Sequence, residues 1–440
     1  MKTVGLITEY NPFHNGHFYH IQEAKRITGA DYVIVVMSGN FVQRGAPAII
    51  DKYSRTDMAL ACGADMVLEL PVCYATASAE FFAMGAVSLL DKLGIVDYLC
   101  FGSECGDAKL LKAIAKILIE EPREYRELLN RYLKEGITFP AARGKALKTI
   151  SPLIEESLLL SPNNILGIEY IKAILSLNSS IKPLTIIRKT ADYHEIELTP
   201  HSENTISSAT AIRKSLLDNT MINYHQFDEL KQGRHNVSSI ANHKVNLNMN
   251  SIKKHIPDSV YEILQNNYRI KFPIQEEDFS LILKYKLMQE TKLSLTKYTD
   301  ITVDMANRIY DLNFQGYTFL QIAQLIKSKQ WTLTRINRGL IHLLLNLYSD
   351  NFNTYNKIEY TQYARLLGFK KESSHLIRNI TKKENIPVIT KMADAKEQLS
   401  ETGLTMLMED IFAANLYNLV VYEKYGTILK DEYTHGVIIR

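Results

Sequence analysis

Over residues 2–217 the apolar pattern keeps switching period, and this alternation limits the fold more than any other feature of the chain. Residues 2–7 form a short apolar run, and residues 17–28 follow with helical, amphipathic spacing. Residues 32–37 (YVIVVM) are apolar almost without a break, as expected of a strand buried on both faces. Helix-like stretches at 51–62, 77–93, 108–120, 165–177 and 208–217 are interspersed with strand-like ones at 66–70, 98–101 and 183–187. Such an order predicts an α/β fold with a doubly wound parallel sheet and right-handed crossovers. Ligands on these sheets bind beyond the strand carboxyl ends.

After residue 218 the character changes. Residues 219–250 are polar and without a clear period, so 219–258 reads as a linker or excursion. Residues 259–440 predict a mostly α-helical C-terminal region, with helices at 278–288, 304–313, 318–327, 332–348 and 361–367 and an apolar, strand-like tail at 427–440. The net charge of +3 says little about partners, but its distribution says more. Residues 321–391 hold 12 Lys/Arg against 4 Asp/Glu. Arg335, Arg338, Arg365, Lys370, Lys371 and Arg378 stand there with Trp331, Tyr360 and Tyr363 between them. Cations interleaved with aromatics suit a phosphate backbone with unstacked bases, which makes this stretch a candidate RNA surface. Arg335, Arg338, Lys370 and Lys371 are its chosen representatives.

Other classes are disfavoured. No run of about 18 apolar residues predicts a membrane span, and the first residues lack the basic start of a secretion signal. Cys62, Cys73, Cys100 and Cys105 match no zinc-ligand spacing. They read as reduced thiols of a cytoplasmic protein, with no protein-held metal expected.

The first strand runs into Thr8-Glu9-Tyr10-Asn11-Pro12-Phe13-His14-Asn15-Gly16-His17, and a helix follows directly. This loop delivers two imidazoles and free helix N–H groups to one place. Gly16 leaves room for close approach of a ligand, and a helix N-terminus favours anions. Imidazole donors there can stabilise charge developing on a phosphate and on departing pyrophosphate, so His14 and His17 are the candidate catalytic residues. Arg44, after the second strand, could hold a carboxylate or phosphate. Asp51, Lys52 and Arg55 read as a solvated first helical turn.

The loop resembles the HxGH signature of the nucleotidyltransferase superfamily. The longer strings GLITEYNPFHNGH (5–17), MSGNFVQRG (37–45), FGSE (101–104), SPNNILGIEYIKAI (161–174) and SSATAIRKSLL (207–217) resemble the bacterial tRNA(Met) cytidine acetate ligase family, with a weaker likeness at TRINRGLIHLLL (334–345). The resemblance implies an enzyme that activates acetate with ATP as acetyl-adenylate and acetylates N4 of the wobble cytidine of elongator tRNA(Met). It implies ATP contacts at Ile7, Thr8, Glu9, Tyr10, Asn11, Pro12, Phe13, His14, Asn15, Gly16, His17 and His20, and at Gly102, Asn163 and Arg188. One of Asn163 and Asn164 is expected to cap the helix they precede. Ser208 and Thr210 match a late phosphate motif that departs from its pattern at Ala209, and a capped helix start competes for them. Residues 1–218 would be the ATP- and acetate-binding catalytic domain and 259–440 the tRNA-binding region. Mg²⁺ is expected with the ATP, and neither DNA nor a membrane as partner. Two alternatives stand beside this: a small-molecule adenylyltransferase of coenzyme biosynthesis, and a non-catalytic RNA-binding protein.

Overall fold

The computed structural model describes residues 1–151, 154–188, 207–217 and 249–440. Its centre is a sheet in the order β10–β8–β5–β2–β1–β6–β7, with β9 added to β8. The strands are β1 (Thr3–Thr8), β2 (Tyr32–Ser38), β5 (Met66–Leu70), β6 (Tyr98–Ser103), β7 (Lys182–Ile187), β8 (Ala364–Phe369), β9 (Val388–Ile389) and β10 (Ile438–Ile439). A two-stranded hairpin, β3 (Phe41–Val42) and β4 (Ala46–Pro47), projects after β2. β5, β2, β1, β6 and β7 are all parallel. The chain winds outward from β1 to β2 and β5, then returns to β6 and β7 on the other side. The switch point therefore lies between β1 and β6, and it sets where a ligand binds.

β2 is buried along nearly its whole length, in keeping with its unbroken apolar run. The helix after β1, α1 (Asn15–Thr28), buries Ile21 and Ala24 and ends at Gly29, whose φ of 59° a glycine adopts without strain.

The C-terminal half departs from expectation in two places. Residues 361–367, expected as a helix, belong largely to β8, which runs antiparallel to β5 with Glu69 opposite Arg365. A short apolar run buried on both faces cannot be told from a helix by spacing alone. The described end of the expected linker is packed: Met249, Ile252 and Ile256 are buried in the core beside α1. The remainder of the polar stretch lies outside the described residues. The helix Glu401–Tyr425 is long and apolar enough to cross a membrane by length and composition. It buries Met406, Ile411, Tyr417 and Val421 in the protein interior.

The two halves are joined by buried charges. Lys52 Nζ lies 2.7 Å from Glu69 Oε1 and 2.8 Å from Glu432 Oε2. Arg365 pairs with Glu69 at 3.5 Å and also with Glu432. All four side chains are nearly inaccessible. Two cations and two anions balance, so removing one strands a charge in the interior. Glu432→Ala should therefore lower stability by about 3–5 kcal/mol, read as a shifted urea midpoint at unchanged slope. An unshifted midpoint would show that the quartet does not hold the halves together.

Candidate active site

β1 ends at the carboxyl edge of the sheet, and the loop after it turns into α1. His14 caps that helix: its Nδ1 accepts the Gly16 N–H at 3.0 Å, and its own N–H donates to His17 Nδ1 at 3.3 Å. Both Nδ1 atoms are thus acceptors, which leaves the proton of each neutral ring on Nε2. The two rings stack with centroids 3.8 Å apart. Tyr10, fully buried, meets the His17 ring edge-on at 4.9 Å, and Phe13 packs on it at 5.6 Å.

Burial drives His14 down to about 3, with repulsion from Arg188, Arg213 and His255 added. Burial likewise takes His17 well below its ordinary value, helped by His14, His20 and Arg188. His20 falls to about 4, from burial and then from Arg188. Near neutral pH these rings are uncharged, and His14 and His17 are Nε2–H donors. Positive charge comes instead from Arg188, Arg213, Arg44 and the N-terminus of α1.

A cleft of about 760 Å³ opens over these residues, a size suited to a nucleotide-sized ligand. Its layout follows the strand order. Gly102 and Arg188 line it at the ends of β6 and β7, and a Cβ on Gly102 would press on Arg188 Cγ at 3.2 Å. His14, Gly16 and His17 lie at the middle, above β1. On the β2 side come Arg44 from the hairpin and a wall from the C-terminal half, including Glu276, Thr334 and Asn337.

The sequence profile of the HIGH Nucleotidyl Transferase family matches residues 1–431. A curated tRNA(Met) cytidine acetate ligase of Thermoanaerobacter sp. (strain X514) is 43% identical over 440 residues, covering all of both chains. One from Acetivibrio thermocellus is 38% identical over 442 residues, again end to end. The chain belongs to this family. Among solved structures, Thermotoga maritima TmcAL bound with alpha-thio ATP superposes with a TM-score of 0.84 at 30% identity, covering the whole of both chains.

Of the residues singled out from the sequence, Ile7, Thr8, Glu9, Asn11, His14, Gly16, His17, His20, Gly102, Asn163, Arg188, Ser208 and Thr210 line the one cleft. Tyr10, Pro12, Phe13 and Asn15 are absent from its wall. Tyr10 and Phe13 are core side chains behind His17, and Asn15 Nδ2 donates to the Lys254 carbonyl at 3.0 Å. Neither Asn163 nor Asn164 is the N-cap. The helix Pro162–Ser176 starts after Ser161, and the Glu104 carboxylate accepts the N–H groups of both asparagines. Ser208 Oγ accepts the Ala211 N–H at 3.1 Å, so the helix-cap explanation is realised beside the cleft. Asp51, Lys52 and Arg55 are buried and not solvated.

The expected RNA surface does not form one face. Arg338 is buried and paired with Asp300 at 2.8 Å, and Arg365 sits in the buried quartet. Trp331 and Tyr363 are core residues. Arg335 is half-buried at the start of the helix Leu333–Leu345. Lys370 and Lys371 follow β8, and the Lys370 N–H donates to the Asp65 carbonyl just before β5. That is the opposite end of the sheet from the cleft.

Sequence reasoning assigned no role to Arg213, Glu276 or Asn337. Arg213 stood in the SSATAIR string and Asn337 in the weaker TRINRGLIHLLL likeness, whereas Glu276 carries no local signal.

The neutral histidines make stability pH-dependent. A histidine near 6.5 when unfolded binds a proton as pH falls, whereas folded His14 does not until about 3. Its folded value is depressed, so stability held above about pH 6.5 is lost toward pH 3, by up to about 1.4 kcal/mol per pH unit. His14→Asn keeps a side chain able to cap α1 and removes this titration. Urea unfolding between pH 7 and 4 should show a shallower loss for His14→Asn than for the wild type. Equal slopes would refute the neutral-ring assignment.

Proposed function

We propose that this chain is an ATP-dependent tRNA(Met) cytidine acetate ligase. The acetate carboxylate attacks the α-phosphate of ATP, giving acetyl-adenylate and pyrophosphate. N4 of the wobble cytidine of elongator tRNA(Met) then attacks the mixed anhydride, and AMP leaves. The observation that carries this reading is the pair of Nε2–H imidazoles at the N-terminus of α1, in a nucleotide-sized cleft of a fold whose relatives bear that name. Fixed donors stabilise charge that develops during phosphoryl displacement without reorganising. Arg188 and Arg213 offset phosphate charge on either side.

Mg²⁺ accompanies the triphosphate in this reading. Among the described residues no His, Cys, Asp and Glu cluster could hold a metal ion, so phosphate oxygens and water would be its main ligands. Residues 1–218 carry activation, and the C-terminal half, together with the segment that leads into it, supplies the side that meets tRNA in the cytoplasm. Exposed Lys253 and Lys254 stand beside Asn15 at the start of α1, well placed to hold tRNA phosphates over the cleft.

His17→Ala should cut acetate-dependent pyrophosphate release by about a hundredfold, the usual loss for one charge-stabilising donor. Wild-type turnover in that variant would remove His17 from the chemistry. Labelled acetate with ATP should label tRNA(Met), whereas labelling from acetyl-CoA without ATP would overturn the acetate ligase reading. Lys253→Ala with Lys254→Ala should weaken tRNA binding and flatten its salt dependence by about two charges' worth of slope. An unchanged slope in filter binding would place the tRNA elsewhere.

A further inference from the structure

We propose that the C-terminal wall of the cleft is the pocket for the acceptor cytosine, with Asn337 holding its N4 amine and Glu276 taking the amine proton as the acetyl group is transferred. This inference rests on the acetate ligase reading and adds the acceptor site to it.

The strand order places this wall. The cleft runs from the β6 and β7 ends, past the two histidines at β1, to the hairpin after β2. If ATP reaches from Arg188 to the histidines, the part beyond them remains for the acyl group and its acceptor. That part carries Arg44 on one side and Glu276, Leu333, Thr334 and Asn337 on the other.

Asn337 is 8% exposed, and its Oδ1 has no hydrogen-bond partner among the described residues. A buried amide oxygen is normally paired, so an orphan at a cleft wall marks a place where a ligand supplies the donor. Its position is fixed. Arg338, next along the helix, is clamped to Asp300, and His342 lies with Nδ1 2.9 Å from the Thr299 carbonyl and Nε2 3.2 Å from the Thr76 hydroxyl. Gly45 at the hairpin turn packs so closely that a Cβ there would strike the Asn337 and Arg338 backbone.

Glu276 begins the short helical turn Glu276–Phe279. Ile274 ties this segment to the Ile49 carbonyl at 2.9 Å, and Asp278 pairs with Lys424 at 2.8 Å. The charged groups facing Glu276 are Arg213, Glu277 and Asp278. Burial raises its carboxyl above the usual range and outweighs the opposing pull of its own N–H and Arg213, with Glu277 and Asp278 adding smaller pushes upward. Its carboxylate is accordingly a stronger base than an exposed one.

The chemistry of the acceptor calls for both residues. The exocyclic amine of cytosine is a weak nucleophile that must shed a proton. N4 bonds to the acetyl carbon, the bond from that carbon to the adenylate oxygen breaks, and AMP takes the electron pair. The N4 proton passes to Glu276. The amine has two N–H donors, and Asn337 Oδ1 and the Glu276 carboxylate are two acceptors. Uracil presents a carbonyl oxygen at that position, so the same pair rejects it. A wobble base can be splayed from its loop to enter such a pocket.

The test supplies chemically made acetyl-adenylate to the full-length protein with a tRNA(Met) transcript and follows single-turnover transfer. Glu276→Gln should slow transfer by at least about a hundredfold and lose the acid limb of the pH–rate profile, while Glu276→Asp recovers part of the rate. Asn337→Ala should raise the tRNA concentration for half-maximal transfer by about tenfold or more. Melting temperatures and acetate-dependent ATP–pyrophosphate exchange are measured alongside. Wild-type transfer in Glu276→Gln overturns the proposal. So does a transfer loss matched by an equal loss of exchange, which would place both residues in activation. A wild-type protein that makes no acetyl-adenylate, or moves none to tRNA, overturns the ligase reading itself and this pocket with it.

Discussion

The guanidinium of Arg55 is fully buried and spans four backbone carbonyls, and the active-site loops take their shape from it. Nη1 donates to Glu9 at 2.7 Å and Ser38 at 2.9 Å, Nη2 to Gly39, and Nε to Ile50 at 3.0 Å. Those carbonyls belong to the loop leaving β1, the end of β2 and the approach to the helix Lys52–Ala61. At the carboxyl edge of a sheet such groups have outrun the ladder and need partners. One planar fork of five donors meets them together, which a lysine could not do. The HxGH loop is thereby held to the loop after β2.

The same place is tied to the C-terminus. A Cβ on Gly39 would land on Glu69, the acid shared by Lys52 and Arg365. The carbonyl of Gly39 is thus gripped by Arg55 while its Cα rests over the quartet. Glu432 and Arg365 come from far along the chain, so the C-terminal half is tied to the carboxylate that lies against Gly39 in the loop after β2. Tyr417, from the long helix Glu401–Tyr425, donates to the Ala48 carbonyl at 2.9 Å and braces the next stretch of the same loop. The C-terminal half is structurally part of the site, and not an appendage that only carries RNA-binding charge.

What was legible in the sequence follows from how local each signal is. β1, β2, β5, β6 and β7 announce themselves because central parallel strands must be apolar on both faces, and residues 32–37 are the plainest case. The HxGH loop was legible because strand end, glycine and helix start fall within ten residues. The ring tautomers follow only from the backbone N–H groups that Nδ1 of each ring accepts. β8 was misread because Arg365 inside an apolar run suggests a helix face, and its partners Glu69 and Glu432 are remote in sequence. The basic stretch misled for the same reason. A count of Lys and Arg cannot see that Arg338 and Arg365 have buried carboxylate partners, or that Lys370 ends up across the sheet from the cleft. Asp51, Lys52 and Arg55 show the converse, charges at a helix start that read as solvated yet form the interior scaffold.

In the proposed reaction, neutral imidazoles would suit the chemistry better than cations. A fixed positive charge attracts the triphosphate before and after the bond breaks, so much of its effect is uniform binding that does not speed the step. An Nε2–H aimed at one oxygen strengthens as that oxygen gains charge, and so favours the transition state. The rings stay neutral because each is buried against the other, with Tyr10 and Phe13 packed on His17, while Arg188 stands near enough to oppose a proton.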